Sequence, residues 1–245
     1  MSSIWNPWHG CHKISEGCKN CYVYRQDAKF EKDSSIVTKN STFDLPIRKK
    51  RNGEYKIPSG ELVYTCFTSD FFVEEADEWR KKVWSIIKQR NNLKFFIITK
   101  RIHRFNVSLP LDWNSGYENV IIACTIENQK QADIRLPIYL DLPIKHKIIV
   151  ASPLIENIDI SKYLNNSIEE VTVGGESGTN ARICRFSWVL NIRNQCIDSK
   201  IPFQFHQTGA LFEKGGKIYK IPRKFQHSQA RKANINYNVN NYIKN

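Results

Sequence analysis

The chain of 245 residues contains no run of about 18 apolar residues, so no helix able to cross a bilayer is expected. Its opening stretch, MSSIWNPWHGC, has no basic segment followed by an apolar one, which argues against a secretory leader. Seven cysteines, an odd number without a leader, argue against a disulfide framework and for a reducing, cytoplasmic location. There is no internal repeat beyond a strand–helix rhythm, and no domain linker. One large domain is therefore expected over residues 1–223, with a basic, Asn-rich, aperiodic tail at 224–245 that orders on a partner or is loosely held. Acidic residues are also scarce: 24 Asp and Glu against 37 Lys and Arg leave a net charge of +13. That imbalance favours a polyanionic partner, with nucleic acid or a nucleotide as the commonest candidate. Genome composition alone also produces lysine- and asparagine-rich chains.

What is present begins with a rhythm. Apolar runs end repeatedly in polar clusters. ELVYTCF leads to Ser69 and Asp70, KFFIIT to Lys100 and Arg101, and NVIIACT to Glu127 and Asn128. KHKIIVA then leads to Ser152 and Pro153, EEVTVGGES contains Gly174, Gly175 and Glu176, and IPFQFHQTG contains His206 and Gln207. Amphipathic segments separate several of these runs. EEADEWRKKVWSIIKQR, residues 74–90, places acids in its first turn and bases near its end, and FSWVLNIRNQCIDS spans 186–199. Strands alternating with helices imply a parallel sheet, because parallel strands need crossover connections. SIWNPWHG supplies a further short strand. The expected fold is α/β, a complete or partial (β/α) barrel of six or seven parallel strands. A small β-hairpin insertion is expected at 44–57, turning at Asn52-Gly53 with the basic RKKR near its tip. Barrels of this kind place their sites at the C-terminal ends of strands, where these polar clusters fall.

The strongest local signal is WHGCHKISEGCKNCY, residues 8–22, with Cys11, Cys18 and Cys21 in a C-x6-C-x2-C arrangement. Three thiols within eleven residues of a Gly-containing loop point to metal. Zinc takes four ligands, and His9 or His12 would complete a Cys3His set. A four-iron cluster normally takes four thiolates, so three leave one iron open to a small molecule. Cys66 and Cys124 lie within strand patterns and Cys184 and Cys196 beside or within a helix, where small buried hydrophobes are expected.

The stretches WNPWHGCHKISEGCKNCY, FTSDFF, ITKR, TIENQKQADIRLP, VGGESG and SWVLNIRNQC…IPFQFHQTG run in order from about residue 5 to 223. With them, the chain resembles a phage-associated three-cysteine-motif family, largely uncharacterised and grouped with radical S-adenosylmethionine proteins. The resemblance implies a barrel with a 4Fe-4S cluster held by Cys11, Cys18 and Cys21, S-adenosyl-L-methionine as cofactor, and a flavodoxin- or ferredoxin-like electron donor. It implies an aromatic beside the cluster, at Tyr22. Ser69 and Asp70 stand where hydrogen bonds from the cofactor's ammonium are accepted. The family more usually reads Glu-Pro where this chain has Ser152-Pro153. The glycine-rich GGES also falls later than the amino-group-binding motif of such enzymes.

Two readings stand beside each remaining candidate. Lys100 and Arg101 hold a carboxylate or phosphate, or are an exposed basic strand end. Glu127 and Asn128 grip ribose hydroxyls, or cap the following helix. Gly174 and Gly175 admit a ligand close to the backbone, with Glu176 as polar contact, or simply make a tight turn. The function expected is radical S-adenosylmethionine chemistry. The alternatives are a nucleic-acid-binding protein with a structural Cys3His zinc site and an iron–sulfur electron-transfer or redox-sensing protein.

Overall fold

The computed structural model describes residues 2–239. Seven strands make the main sheet: β1 (Ser2–Trp5), β2 (Leu62–Thr65), β3 (Lys94–Thr99), β4 (Val120–Thr125), β5 (His146–Ala151), β6 (Ile168–Gly174) and β7 (Phe203–Gln207). They lie in chain order, all parallel, which is the topology of an α/β partial barrel. The crossovers include helices α2 (Asp77–Gln89), α3 (Gln129–Asp141) and α4 (Phe186–Asp198); a short α1 (Tyr22–Asp27) precedes β2, and α5 (Gln226–Lys232) follows β7. Among the described residues no helix is long and apolar enough to cross a membrane.

By contacts the chain divides into two compact units. The first comprises Met1–Lys13, Val23–Ala123 and Asp141–His146. Within it β1 pairs with β2, and β2 with β3, in parallel register. Its core is a chain of aromatic rings. Phe71 lies 4.9 Å from Trp84, and Trp84 lies 5.0 Å from Trp113, both edge-on as ring quadrupoles prefer. Helix α2 buries Arg80, Val83, Trp84, Ile86 and Ile87, an inward stripe with one charged member.

The second unit comprises Ile14–Tyr22, Cys124–Leu140 and Lys147–Asn245. There β5 pairs with β6 and β6 with β7, again in parallel. A smaller sheet joins Cys184–Arg185 to Leu211–Lys214 and on to Lys217–Lys220, the last two antiparallel. The segment expected to be a loose tail is docked as far as it is described. Helix α5 buries Gln226 and Ala230, Phe203 and Tyr237 exchange backbone hydrogen bonds, and Arg193 donates to the Ile235 carbonyl at 2.7 Å. Residues 240–245 lie outside the described residues.

The expected hairpin within 44–57 is present as a short one: Lys49 bridges Tyr55 antiparallel, and the Lys50 and Lys56 amides donate to the Glu54 and Arg48 carbonyls at 2.7 and 2.8 Å. Leu45–Ile47 coils into a 3-10 turn, so the paired arms begin only at Arg48, whose side chain reaches back to Asp44 at 2.8 Å.

Candidate functional site: the thiol loop and the strand ends

In the first unit the beginning of the thiol loop is tied to the end of β2. Gly10 has φ +91°, and a Cβ there would lie 2.3 Å from the Ile36 carbonyl oxygen, so glycine is required. Its amide donates to the Thr68 carbonyl at 3.1 Å, and its own carbonyl accepts from Ser69 Oγ. Cys11 is fixed on both sides, its amide donating to Ser34 and its carbonyl accepting from the Tyr24 hydroxyl. Arg101, nearly fully buried, donates from one terminal nitrogen to Cys11 Sγ at 3.3 Å and from the other to the His12 carbonyl at 2.9 Å.

Asp70 anchors that guanidinium at 3.6 Å. It also accepts from Thr99 Oγ1 at 2.7 Å and from the amides of Phe72 and Lys100 at 3.0 and 2.9 Å. Burial works against the Arg101 charge, yet Asp70, Cys11 and Glu74 outweigh it and raise its pKa. Ser69, Asp70 and the Lys100 backbone are thus brought together, with their hydrogen bonds directed into the protein. His9 and His12 do not pair with sulfur: His9 Nε2 lies 2.7 Å from Asp27 and His12 Nε2 lies 2.5 Å from Glu75.

In the second unit four side chains hold the rest of the loop, Ser15–Cys21. Glu127, fully buried, accepts from the Gly17 amide at 3.3 Å through Oε1 and from Arg135 at 2.7 Å through Oε2. A Cβ on Gly17 would stand 2.9 Å from the Glu127 carboxyl carbon, so the loop passes directly over it. Asn128 reaches Glu16 at 3.4 Å, while its Oδ1 accepts from the Gln131 amide and caps α3. Glu176 binds Arg182 through both oxygens, at 2.5 and 3.0 Å, and accepts from Asn20 at 3.0 Å. Arg182 in turn donates to the Glu16 carbonyl at 3.0 Å. Burial raises the Glu176 pKa, but hydrogen bonds from Arg182 and Asn20 prevail and it is lowered overall. Glu127, Asn128 and Glu176, expected at a ligand, converge on the loop itself.

Gly174 and Gly175 serve close packing. A Cβ on Gly174 would sit 2.1 Å from His206 Nε2, and one on Gly175 would sit 2.2 Å from the Thr208 carbonyl oxygen. His206, part-buried against Ser152 at 3.2 Å, is pushed down to about 4 by burial, then by His227 and Arg223. Its ordinary value is near 6.5, so between about pH 6.5 and 4 the unfolded chain holds the extra proton. The contribution is complete above pH 6.5 and disappears as pH falls to about 4, at most about 3 kcal/mol. The guanidinium unfolding midpoint of wild type should therefore fall more between pH 7 and 4.5 than that of His206→Gln. Equal decreases would refute this.

The seven thiols separate by exposure. Cys11, Cys18 and Cys21 are part-exposed, whereas Cys66, Cys124, Cys184 and Cys196 are buried. Burial pushes Cys184 and Cys196 up to about 12 and Cys66 well above its ordinary range. Thiolate is the form that binds metal, so the buried thiols are poor ligands. Among the described residues no group of three or more His, Cys, Asp or Glu side chains is gathered around a metal position. The amide of Cys21 donates to the Cys18 carbonyl at 3.3 Å, and Tyr22 opens α1 directly afterwards, 41% exposed.

Sequence reading missed Arg135 and Arg182. Arg135 has a signal: Ala132, Arg135, Leu136 and Tyr139 follow i, i+3, i+4, i+7, the buried stripe of α3. A charge within such a stripe needs a buried partner, here Glu127. Arg182 lies in a loop, and nothing local marks it.

Fold and loop together define an α/β partial-barrel protein carrying part-exposed thiols after its first strand. The chain belongs to a protein family of unknown function, DUF5131, whose model matches residues 1–239. No curated protein and no solved structure matches it.

Proposed function

We propose that the protein is a radical S-adenosylmethionine-type enzyme whose Cys11, Cys18 and Cys21 hold a 4Fe-4S cluster. One observation carries the reading: the three thiols of the C-x6-C-x2-C loop are accessible while the other four cysteines are buried. Cys11, Cys18 and Cys21 would hold the cluster, which would supply the electron for reductive cleavage of S-adenosylmethionine and so the means of hydrogen abstraction. The chain's own residues supply position and charge. Arg101 places a fixed cation against Cys11 Sγ, a partner for a thiolate ligand. Glu127, Asn128, Glu176 and Arg182 set the course of Ser15–Cys21, so the loop's second half is carried by buried Glu127, Asn128 and Glu176 and by part-buried Arg182. The reading requires the three sulfurs to converge when the loop takes up iron.

Anaerobic protein reduced with S-adenosylmethionine should release 5′-deoxyadenosine. Alanine at Cys11, Cys18 or Cys21 should abolish that release, whereas Cys196→Ala should retain it. Release that survives loss of the loop thiols would refute the proposal, and so would wild-type protein that releases none.

A further inference from the structure

The second unit contains a cleft of about 480 Å3 that the thiol chemistry does not use, within the usual range of ligand clefts. Aromatic rings line it. Phe205 and Phe212 are buried and stacked, centroids 5.8 Å apart at 28°. Tyr219 and Phe225 also line it but remain 43% and 45% exposed. Lysines share the lining: Lys214, Lys220 and Lys232. Ammonium groups approach the rings, with Lys214 Nζ 4.8 Å from the Phe186 centroid and Lys224 Nζ 4.9 Å from that of Phe225.

The surrounding charge is one-sided. Residues 211–233 hold seven Lys and Arg against one acid, Glu213, a net of +6 where the whole chain has +13. That acid is itself opposed by Arg185 at 3.5 Å. Exposed rings beside lysines that, among the described residues, have no acidic partner are the two parts of a single-strand binding surface. Each base offers a face for stacking on a ring, and each phosphate a charge for a lysine. A duplex keeps its bases stacked on one another and cannot present them to a recess.

We propose that this cleft binds single-stranded nucleic acid, with bases stacked on Tyr219 and Phe225 and phosphates held by Lys214, Lys220 and Lys232. The proposal needs no metal and goes beyond the cluster chemistry, so each can fail while the other stands.

The test is fluorescence anisotropy of a labelled oligothymidylate with the full chain. Tyr219→Ala and Phe225→Ala should each weaken binding by about 5- to 100-fold, and Tyr219→Phe should bind as wild type. Neutralising the three lysines to Gln should flatten the log–log salt dependence by about 2, from roughly 0.7 per phosphate contact. Thermal melts of the variants should match wild type, since these side chains are exposed. Any of three results would overturn the proposal. They are equal affinity for a duplex of the same length, binding untouched by the ring and lysine variants, and binding confined to phosphatidylserine vesicles.

Discussion

Glu127→Ala is expected to cost about 3–5 kcal/mol of folding stability, the largest effect of any single change proposed for this chain. The carboxylate is fully buried and faces Arg135, whose side chain is 4% exposed, at 2.7 Å. Removing it leaves a cation with the Thr125 carbonyl as its remaining named partner, at 2.7 Å. The same change releases the Gly17 amide, so the loop between Cys18 and the strand end loses an anchor. Glu127→Gln keeps the shape and one acceptor but removes the charge, and should cost less, about 1.5–3 kcal/mol. Urea unfolding monitored by tryptophan fluorescence gives the ranking, and hydrogen exchange at Gly17 reads the loop. A loss below 1 kcal/mol for the alanine variant, with Gly17 still protected, would contradict this account.

Asp70→Ala is expected to be nearly as damaging, again about 3–5 kcal/mol. It removes the acceptor of the Thr99 hydroxyl and of the Phe72 and Lys100 amides, and the nearest buried countercharge of Arg101. Glu74, half exposed and 3.5 Å away, cannot replace a buried carboxylate, because water screens it. With Arg101 no longer held, the guanidinium beside Cys11 loses its fixed position, and Cys11 should be alkylated by iodoacetamide at a changed rate. Asp70→Asn, which retains a side-chain acceptor, should fall between the two. Wild-type stability in Asp70→Ala with unaltered Cys11 alkylation would show that the pair does not position the thiol.

The strands were legible because burial on both faces writes itself as a continuous apolar run. KFFIIT is the strand Lys94–Thr99, and FSWVLNIRNQCIDS is the helix Phe186–Asp198 with the boundary moved by one residue. Elements without an apolar pattern escaped. The Leu211–Lys214 and Lys217–Lys220 hairpin is mostly exposed, and its mark is the Gly215-Gly216 pair, both with positive φ. Helix α5 has only Gln226 and Ala230 buried, four residues apart, so tertiary contact rather than amphipathicity defines it.

At the site, residue types at strand ends could be read directly, because the fold dictates where such residues gather. Their partners could not. Gly17 and Glu127 are 110 positions apart, and Asn20 and Glu176 are 156 apart, so no local pattern links them. That is why the contacts of Glu127 and Glu176 with the loop could not be read from the sequence.

The most direct measurement is iron and sulfide analysis of anaerobically prepared protein, followed by electron paramagnetic resonance of the reduced state with and without S-adenosylmethionine. Four irons and four sulfides per chain, and a signal that changes when the cofactor is added, are the expected result. Colourless protein with one tightly held zinc, or an iron–sulfur signal indifferent to the cofactor, would contradict it.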